Sequence, residues 1–316
     1  MPRRALGTTG LQVSVLGLGC NNFGGRLDRA AAHKVIHAAL DAGITLFDTA
    51  DIYGGRGGSE TLLGEALGAR RRDIVLVTKF GLPMDDEGTL KGGSRAYVMQ
   101  AVEASLKRLK TDWIDLYYLH RPDPVTPIGE TLRALDALIA QGKVRFIGCS
   151  NMPAAEVAAA QDVAKSNSLH GFVSCQDQYN LLSRDIEANL IPVMAARRLT
   201  LLPYVPLASG MLTGKYRFGA PVPAGTRLSH KRYSDRVLNE RNFRIVESLR
   251  AFCAQRRRSL LELAFGWLLS NPVVGCVIAG ASTPEQVRQN VASSDWQLDT
   301  ADLIEVDHLT RRSGGP

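Results

Sequence analysis

The chain has only five cysteines in 316 residues, Cys20, Cys149, Cys175, Cys253 and Cys276, and no two share metal-ligand spacing. An odd, scattered set excludes a disulfide framework and a cysteine-based metal site, and no other ligand cluster is present, so no metal is expected. Cys149, Cys175 and Cys276 lie in or beside apolar stretches, where a free thiol packs as a small apolar residue. No apolar run reaches the length of about 20 residues that a membrane span needs. The start, Met1-Pro2-Arg3-Arg4, lacks the apolar segment of a secretory signal, and a cytoplasmic protein is expected. A net charge of +7 comes without an aromatic-basic motif. The runs Arg70-Arg71-Arg72 and Arg256-Arg257-Arg258 fall where helices are expected to end, which cations favour, so neither nucleic acid nor membrane is an expected partner. Two glycine-rich pieces lack their completing residues. Gly17-Leu18-Gly19 is followed by Asn22 where a dinucleotide fingerprint has its third glycine, and Gly54 to Glu60 has no Gly-Lys-Ser/Thr ending of a P-loop.

What is present is alternation. Hydrophobic content of 45% and charged content of 22% suit a globular protein, and the length suits one α/β barrel better than two domains, with residues 1–316 as a single unit. Leu6 to Val13 reads as a hairpin plugging one barrel end. Short apolar strands then alternate with helices: Val15–Gly19, the strand ending at Asp48, Ile74–Lys79, Ile114–His120, Val144–Gly148, Phe172–Gln176, Leu201–Tyr204 and Val273–Ala279. Strand–helix alternation implies βαβ units and a parallel sheet, which eight strands close into a (β/α)8 barrel with additional C-terminal helices. Asp28, Ser59, Ser259 and Thr283 are the expected helix caps, Ser259 with Glu262 in a capping box and Thr283 ahead of an N1 proline. Ser209 to Arg236 is too long and aperiodic for a plain connection and is expected to be a functional loop. The final Ser-Gly-Gly-Pro is expected to be disordered.

Three successive strands end on Asp48, Lys79 and His120, and Tyr53 follows the first within five residues. Each alone has a bland reading: a helix cap, a snorkelling lysine, a core histidine. Together, parallel strands deliver them to one rim, where a cation can lower the pKa of a phenol and let it act as an acid.

In the segments FDTADIYG, LVTKFG and YYLHRPDP, from Leu6 to about Asn290, the chain resembles the aldo-keto reductases, including the branch with potassium-channel β subunits. Asp48, Tyr53, Lys79 and His120 match that family's catalytic tetrad. The resemblance implies a (β/α)8 TIM barrel, NADPH as cofactor with NAD possible, and reduction of a small-molecule carbonyl. Tyr53 is then the proton donor, Lys79 lowers its pKa, Asp48 fixes Lys79, and His120 orients the carbonyl oxygen. By the same resemblance Ser150, Asn151 and Gln176 hold the nicotinamide carboxamide and Tyr204 stacks on the ring. Pro206, Leu207, Gly210, Leu212 and Lys215 follow the pyrophosphate. Gly280, Ser282, Gln286 and Asn290 surround the adenosine end, where Arg288 is a further candidate for the 2′-phosphate. Phe23, Phe80, the loop after His120 and Tyr216 to Arg236 are expected to select the substrate. Two rival readings stay open, a sugar or alcohol dehydrogenase running the chemistry backwards and a cofactor-sensing regulatory subunit. Oligomeric state is not legible.

Overall fold

The computed structural model describes residues 1–311, the side chain of Arg232 apart, so the expectation for the last four residues lies outside the described residues. Strands β1 (Arg3–Ala5) and β2 (Gln12–Ser14) pair antiparallel, with Ala5 opposite Gln12. β1 therefore lies before the stretch expected to form the hairpin, β2 overlaps its end, and residues 6–11 connect the two. An eight-stranded parallel sheet follows: β3 (Leu16–Gly19), β4 (Leu46–Asp48), β5 (Val75–Phe80), β6 (Ile114–Leu119), β7 (Val144–Ser150), β8 (Ser174–Gln176), β9 (Thr200–Leu201) and β10 (Val277–Gly280). Its strands run in chain order, with β10 beside β3. Closure comes from a parallel bridge between Leu201 and Val274, and Ile278 donates to the Pro203 carbonyl at 3.0 Å. The fold is a (β/α)8 barrel.

Alternation along each strand sorts side chains between two cores. Leu46, Val75, Val77, Leu116, Tyr118, Leu202, Cys276 and Ile278 fill the barrel interior, where Leu6 and Val13 of the hairpin join them. Phe47, Leu76, Phe80, Tyr117, Ile147, Cys149, Leu201 and Val277 face the surrounding helices. Cys149, Cys175 and Cys276 are buried free thiols, as their placement implied, and Cys20 and Cys253 are buried free thiols as well. Gly148 makes room in the interior: a Cβ there would run into the Tyr118 ring, whose hydroxyl bonds to the Ser174 hydroxyl at 2.5 Å.

The caps Asp28, Ser259 and Thr283 hold helices Arg29–Asp41, Leu260–Ser270 and Pro284–Ala292, the second through its full capping box. Ser59 does not cap. It lies inside helix Gly58–Leu67, buried, with its hydroxyl 2.8 Å from both the Cys20 carbonyl and the Thr49 hydroxyl. That helix starts instead at Gly57, whose φ of 108° is open to glycine alone. The arginine runs fall at helix ends as expected, and ion pairs hold members of both as well. Arg71 is buried against Asp115 at 2.9 Å, and Arg256 bonds Asp302 and Glu305 at 2.6 and 2.8 Å. The stretch 209–236 has more order than expected, containing 3-10 turns at Ala208–Thr213 and Arg227–Ser229 and the start of helix Lys231–Val237. Among the described residues no helix is long and apolar enough to cross a membrane.

Candidate active site

The period that builds the interior also builds the site. Two residues beyond interior Leu46, Val77 and Tyr118 stand Asp48, Lys79 and His120; two beyond Gly148, Ser174, Leu202 and Ile278 stand Ser150, Gln176, Tyr204 and Gly280. Successive inward positions at the carboxyl ends of parallel strands form one ring. Above it opens a cleft of about 1100 Å³. It is lined by Asp48, Tyr53, His120, Ser150, Asn151, Gln176, Tyr204, Pro206, Leu207, Gly210, Lys215, Gly280, Ser282, Gln286 and Asn290. Of the expected site residues, Lys79 and Leu212 lie behind the wall, both fully buried. A second cavity, of about 500 Å³ at the hairpin end, has its guanidinium, Arg4, bonded to the Val274 and Leu269 carbonyls and carries no acid–base pair.

Lys79 gives hydrogen bonds to Asp48 Oδ1 and Oδ2 at 2.7 and 2.9 Å and to the Thr49 carbonyl at 2.7 Å, using all three ammonium protons. Burial disfavours its charge, yet the Asp48 carboxylate and the Tyr53 phenol outweigh that and hold its pKa above the usual lysine value. Its Nζ stands 5.1 Å from the Tyr53 ring centre. Tyr53 in turn meets the His120 ring edge-on at 5.7 Å. Gly54, at φ 69°, permits the turn that brings the phenol in, because a Cβ there would strike the Phe23 carbonyl.

The phenol itself departs from expectation. Burial raises the Tyr53 pKa, Lys79 pulls it down and Asp48 pushes it up, and the net direction is upward. Lys79 acts with the expected sign, but desolvation is the larger effect. His120 is pushed down to about 2, by burial first and then by Lys79 and Arg121, so its imidazole is neutral; its Nδ1 has no partner.

On the other side of the ring, Ser150 donates to the Gln176 carbonyl at 2.7 Å and accepts from Asn151 Nδ2 at 2.9 Å. Tyr204 donates to Asn151 Oδ1 at 2.6 Å. Gln176 Nε2 donates to Asp48 Oδ1 at 2.8 Å, which turns its Oε1 away from that carboxylate. At β10, Gln286 accepts from the Ser282 amide at 2.8 Å, and Arg288 is spent on Glu285 at 2.8 Å rather than reaching the cleft.

Arg121, Arg227 and Arg236 lie in the stretches expected to select the substrate, whereas Arg26 and Arg241 were not expected at the cleft. Arg26, Arg121, Arg227, Arg236 and Arg241 join Lys215 as the cations of the cleft, and Asp48, already bonded to Lys79, is its sole carboxylate among the described residues. Arg227 crosses from the 209–236 stretch to bond Asn22 Oδ1 at 2.8 Å and Asn21 Oδ1 at 3.3 Å. Phe23 and Phe80, expected at the substrate, are fully buried in the outer core; Ile52 and Leu82 take their place on the wall. Asp51 was also missed. It is 1% exposed with neither oxygen partnered, and burial with the charge of Glu60 pushes it up to about 8.

A family model for the aldo/keto reductases matches residues 15–311. The chain belongs to the aldo/keto reductase family. Members of this family are oxidoreductases that use nicotinamide cofactors and act on small carbonyl compounds. The chain is 37% identical over 306 residues to a probable voltage-gated potassium channel subunit beta of Oryza sativa subsp. japonica, covering 93% of this chain and 92% of that one. It is 36% identical to a protein of the same description in Arabidopsis thaliana, over the same shares of the two chains. An uncharacterized oxidoreductase, YrpG, of Bacillus subtilis (strain 168) is 34% identical over 320 residues, 98% of this chain and 96% of that one. The residues present fit the family's cofactor. An aromatic face at Tyr204, an amide acceptor at Gln176 and cations along an elongated cleft suit a flat carboxamide-bearing ring joined to phosphates.

Proposed function

We propose that this reductase is an NADPH-dependent enzyme, working in the cytoplasm as a single barrel domain, that reduces aldehyde or ketone carbonyls to alcohols with Tyr53 as proton donor. The observation that carries the reading is the Asp48–Lys79 pair, fully buried and fully hydrogen-bonded, directly behind a phenol that opens on the cleft. Ser150, Asn151, Gln176 and Tyr204 would hold the nicotinamide end, Pro206, Leu207, Gly210, Leu212 and Lys215 the pyrophosphate, and Gly280, Ser282, Gln286 and Asn290 the adenosine end. When bound, the reduced cofactor supplies a hydride. Tyr53 passes its proton to the carbonyl oxygen, and the Lys79 ammonium stabilises the tyrosinate left behind. Neutral His120 offers an N–H to the same oxygen and orients it.

The upward direction of the Tyr53 pKa keeps the phenol protonated at neutral pH, the form from which it would act as a proton donor. A regulatory subunit that senses the cofactor is the second reading, supported by the two plant relatives. Turnover separates them. Purified protein with NADPH and a panel of aldehydes and ketones should oxidise the cofactor, and Tyr53→Phe should lose about 10²–10⁴-fold in kcat with its NADPH affinity unchanged. A Tyr53→Phe protein keeping a tenth of the activity would remove Tyr53 from the role.

A further inference from the structure

Arg121 directly follows His120 and lines the cleft, yet its guanidinium has no hydrogen-bond or ion-pair partner among the described residues. The nearest acid in sequence, Asp123, is committed elsewhere, accepting from the Gly93 amide at 2.7 Å and the Val125 amide at 3.0 Å. The charge of Arg121 bears on both His120 and Tyr204, which places it beside the reacting centre. Position in the barrel separates it from the cofactor's phosphates. In the closed ring β6, which carries Arg121 at its end, lies four strands from β10 in either direction, so it is diametrically opposite Ser282 and Gln286. A cofactor laid from Tyr204 to β10 occupies the β9–β10 side and leaves Arg121 without a phosphate. Between β4 and β6 the lining includes two apolar side chains, Ile52 after β4 and Leu82 after β5.

We propose that Arg121 is a specificity residue that recognises an oxyanion on the substrate, so that the preferred carbonyl compounds carry a carboxylate or phosphate on a small apolar body. This rests on the reductase reading above. A guanidinium presents paired N–H donors that match either group, and the cleft's carboxylate, Asp48, is already bonded to Lys79. The apolar body would lie on Ile52 and Leu82, the carbonyl between Tyr53 and His120.

The test compares 4-formylbenzoate and 4-formylphenyl phosphate with the neutral methyl 4-formylbenzoate. Wild-type enzyme with NADPH should favour one or both anions over the ester by roughly ten- to a hundredfold in kcat/KM. Arg121→Ala should collapse that ratio toward one, Arg121→Lys should restore part of it, and the stronger of the two anions identifies the group. Binding of benzoate and phenyl phosphate to the protein, followed by calorimetry without turnover, should weaken by the same factor in Arg121→Ala. An acid-to-ester ratio near one, or one unaltered by Arg121→Ala, overturns the proposal. Should no aldehyde be reduced, the reductase reading fails, and the calorimetry alone still decides whether Arg121 binds anions.

Discussion

Replacing Lys79 by Met keeps an unbranched side chain, shorter by the terminal nitrogen, and deletes its charge inside a buried wall. Lys79 is 0% exposed. Its loss strands the Thr49 carbonyl and leaves Asp48 with Gln176 Nε2 as its remaining side-chain partner, at 2.8 Å. Breaking a buried pair from one side costs about 3–5 kcal/mol, because the surviving charge stays buried without its counterion. For a chain of 316 residues this lowers Tm by roughly 5–8 °C. Activity falls separately, since burial and Asp48 then raise the Tyr53 pKa with nothing opposing them, and the expected loss is about 10²–10⁴-fold. Urea unfolding and NADPH oxidation on the same samples read the two effects. The double variant Asp48→Asn, Lys79→Met should recover stability, having no stranded charge, while staying inactive. A Lys79→Met protein with wild-type Tm and turnover would refute the pairing, and a double variant with restored activity would reduce Lys79 to a structural role.

The charges of the cleft and of buried Asp51 set two further outcomes. NADPH should bind roughly ten- to a hundredfold more tightly than NADH, with the advantage shrinking as salt rises, and equal affinities in a fluorescence titration would count against a 2′-phosphate site in this cationic cleft. Asp51→Asn should gain stability over wild type progressively as pH rises from 4 to 8. The buried carboxyl, pushed from 3.8 up to about 8, keeps in the folded state a proton that the unfolded chain releases, so wild-type stability is lost across that window. The gain is at most about 5–6 kcal/mol at pH 8, and a difference constant between pH 5 and 8 in urea unfolding would contradict it.

The barrel was legible because one rule governs it. Once a strand's inward set is known from its apolar alternation, the residue at the next inward position beyond the apolar layer is a rim residue, and Asp48, Lys79, His120, Ser150, Gln176 and Tyr204 all obey it. Caps such as Ser259 and Thr283 were equally readable, being local chemistry. What failed was anything decided by distant parts. Ser59 looked like a cap, but Cys20 and Thr49 claim its hydroxyl. Phe23 and Phe80 looked like substrate contacts, but the period that puts Lys79 inside turns Phe80 outward. Arg26, on a turn after β3, and Arg241, in the first turn of helix Glu240–Gln255, reach the cleft from parts of the chain that carry no local sign of it. The direction of the Tyr53 shift was hidden for a further reason: a sequence names its neighbours in charge but not how much water burial removes.

The hydrogen bonds also tie the acid machinery to the ring pocket. A carboxylate only accepts, so Asp48 can take Gln176 only through Nε2, which leaves Oε1 as the face that Gln176 shows to an amide ligand. Asn151 is fixed in the same manner: its Nδ2 goes to Ser150 and to the His120 carbonyl, and its Oδ1 takes the Tyr204 hydroxyl. Ser150 and Asn151 are thus engaged with each other and with Tyr204, which makes them the frame of the pocket, while Gln176 is the group with an acceptor to spare. Asp48 therefore acts on both halves of the site at once. Asp48 Oδ1 accepts from both Lys79 and Gln176 Nε2, so under the proposed mechanism the carboxylate that supports the proton donor would also set which end of Gln176 meets a carboxamide.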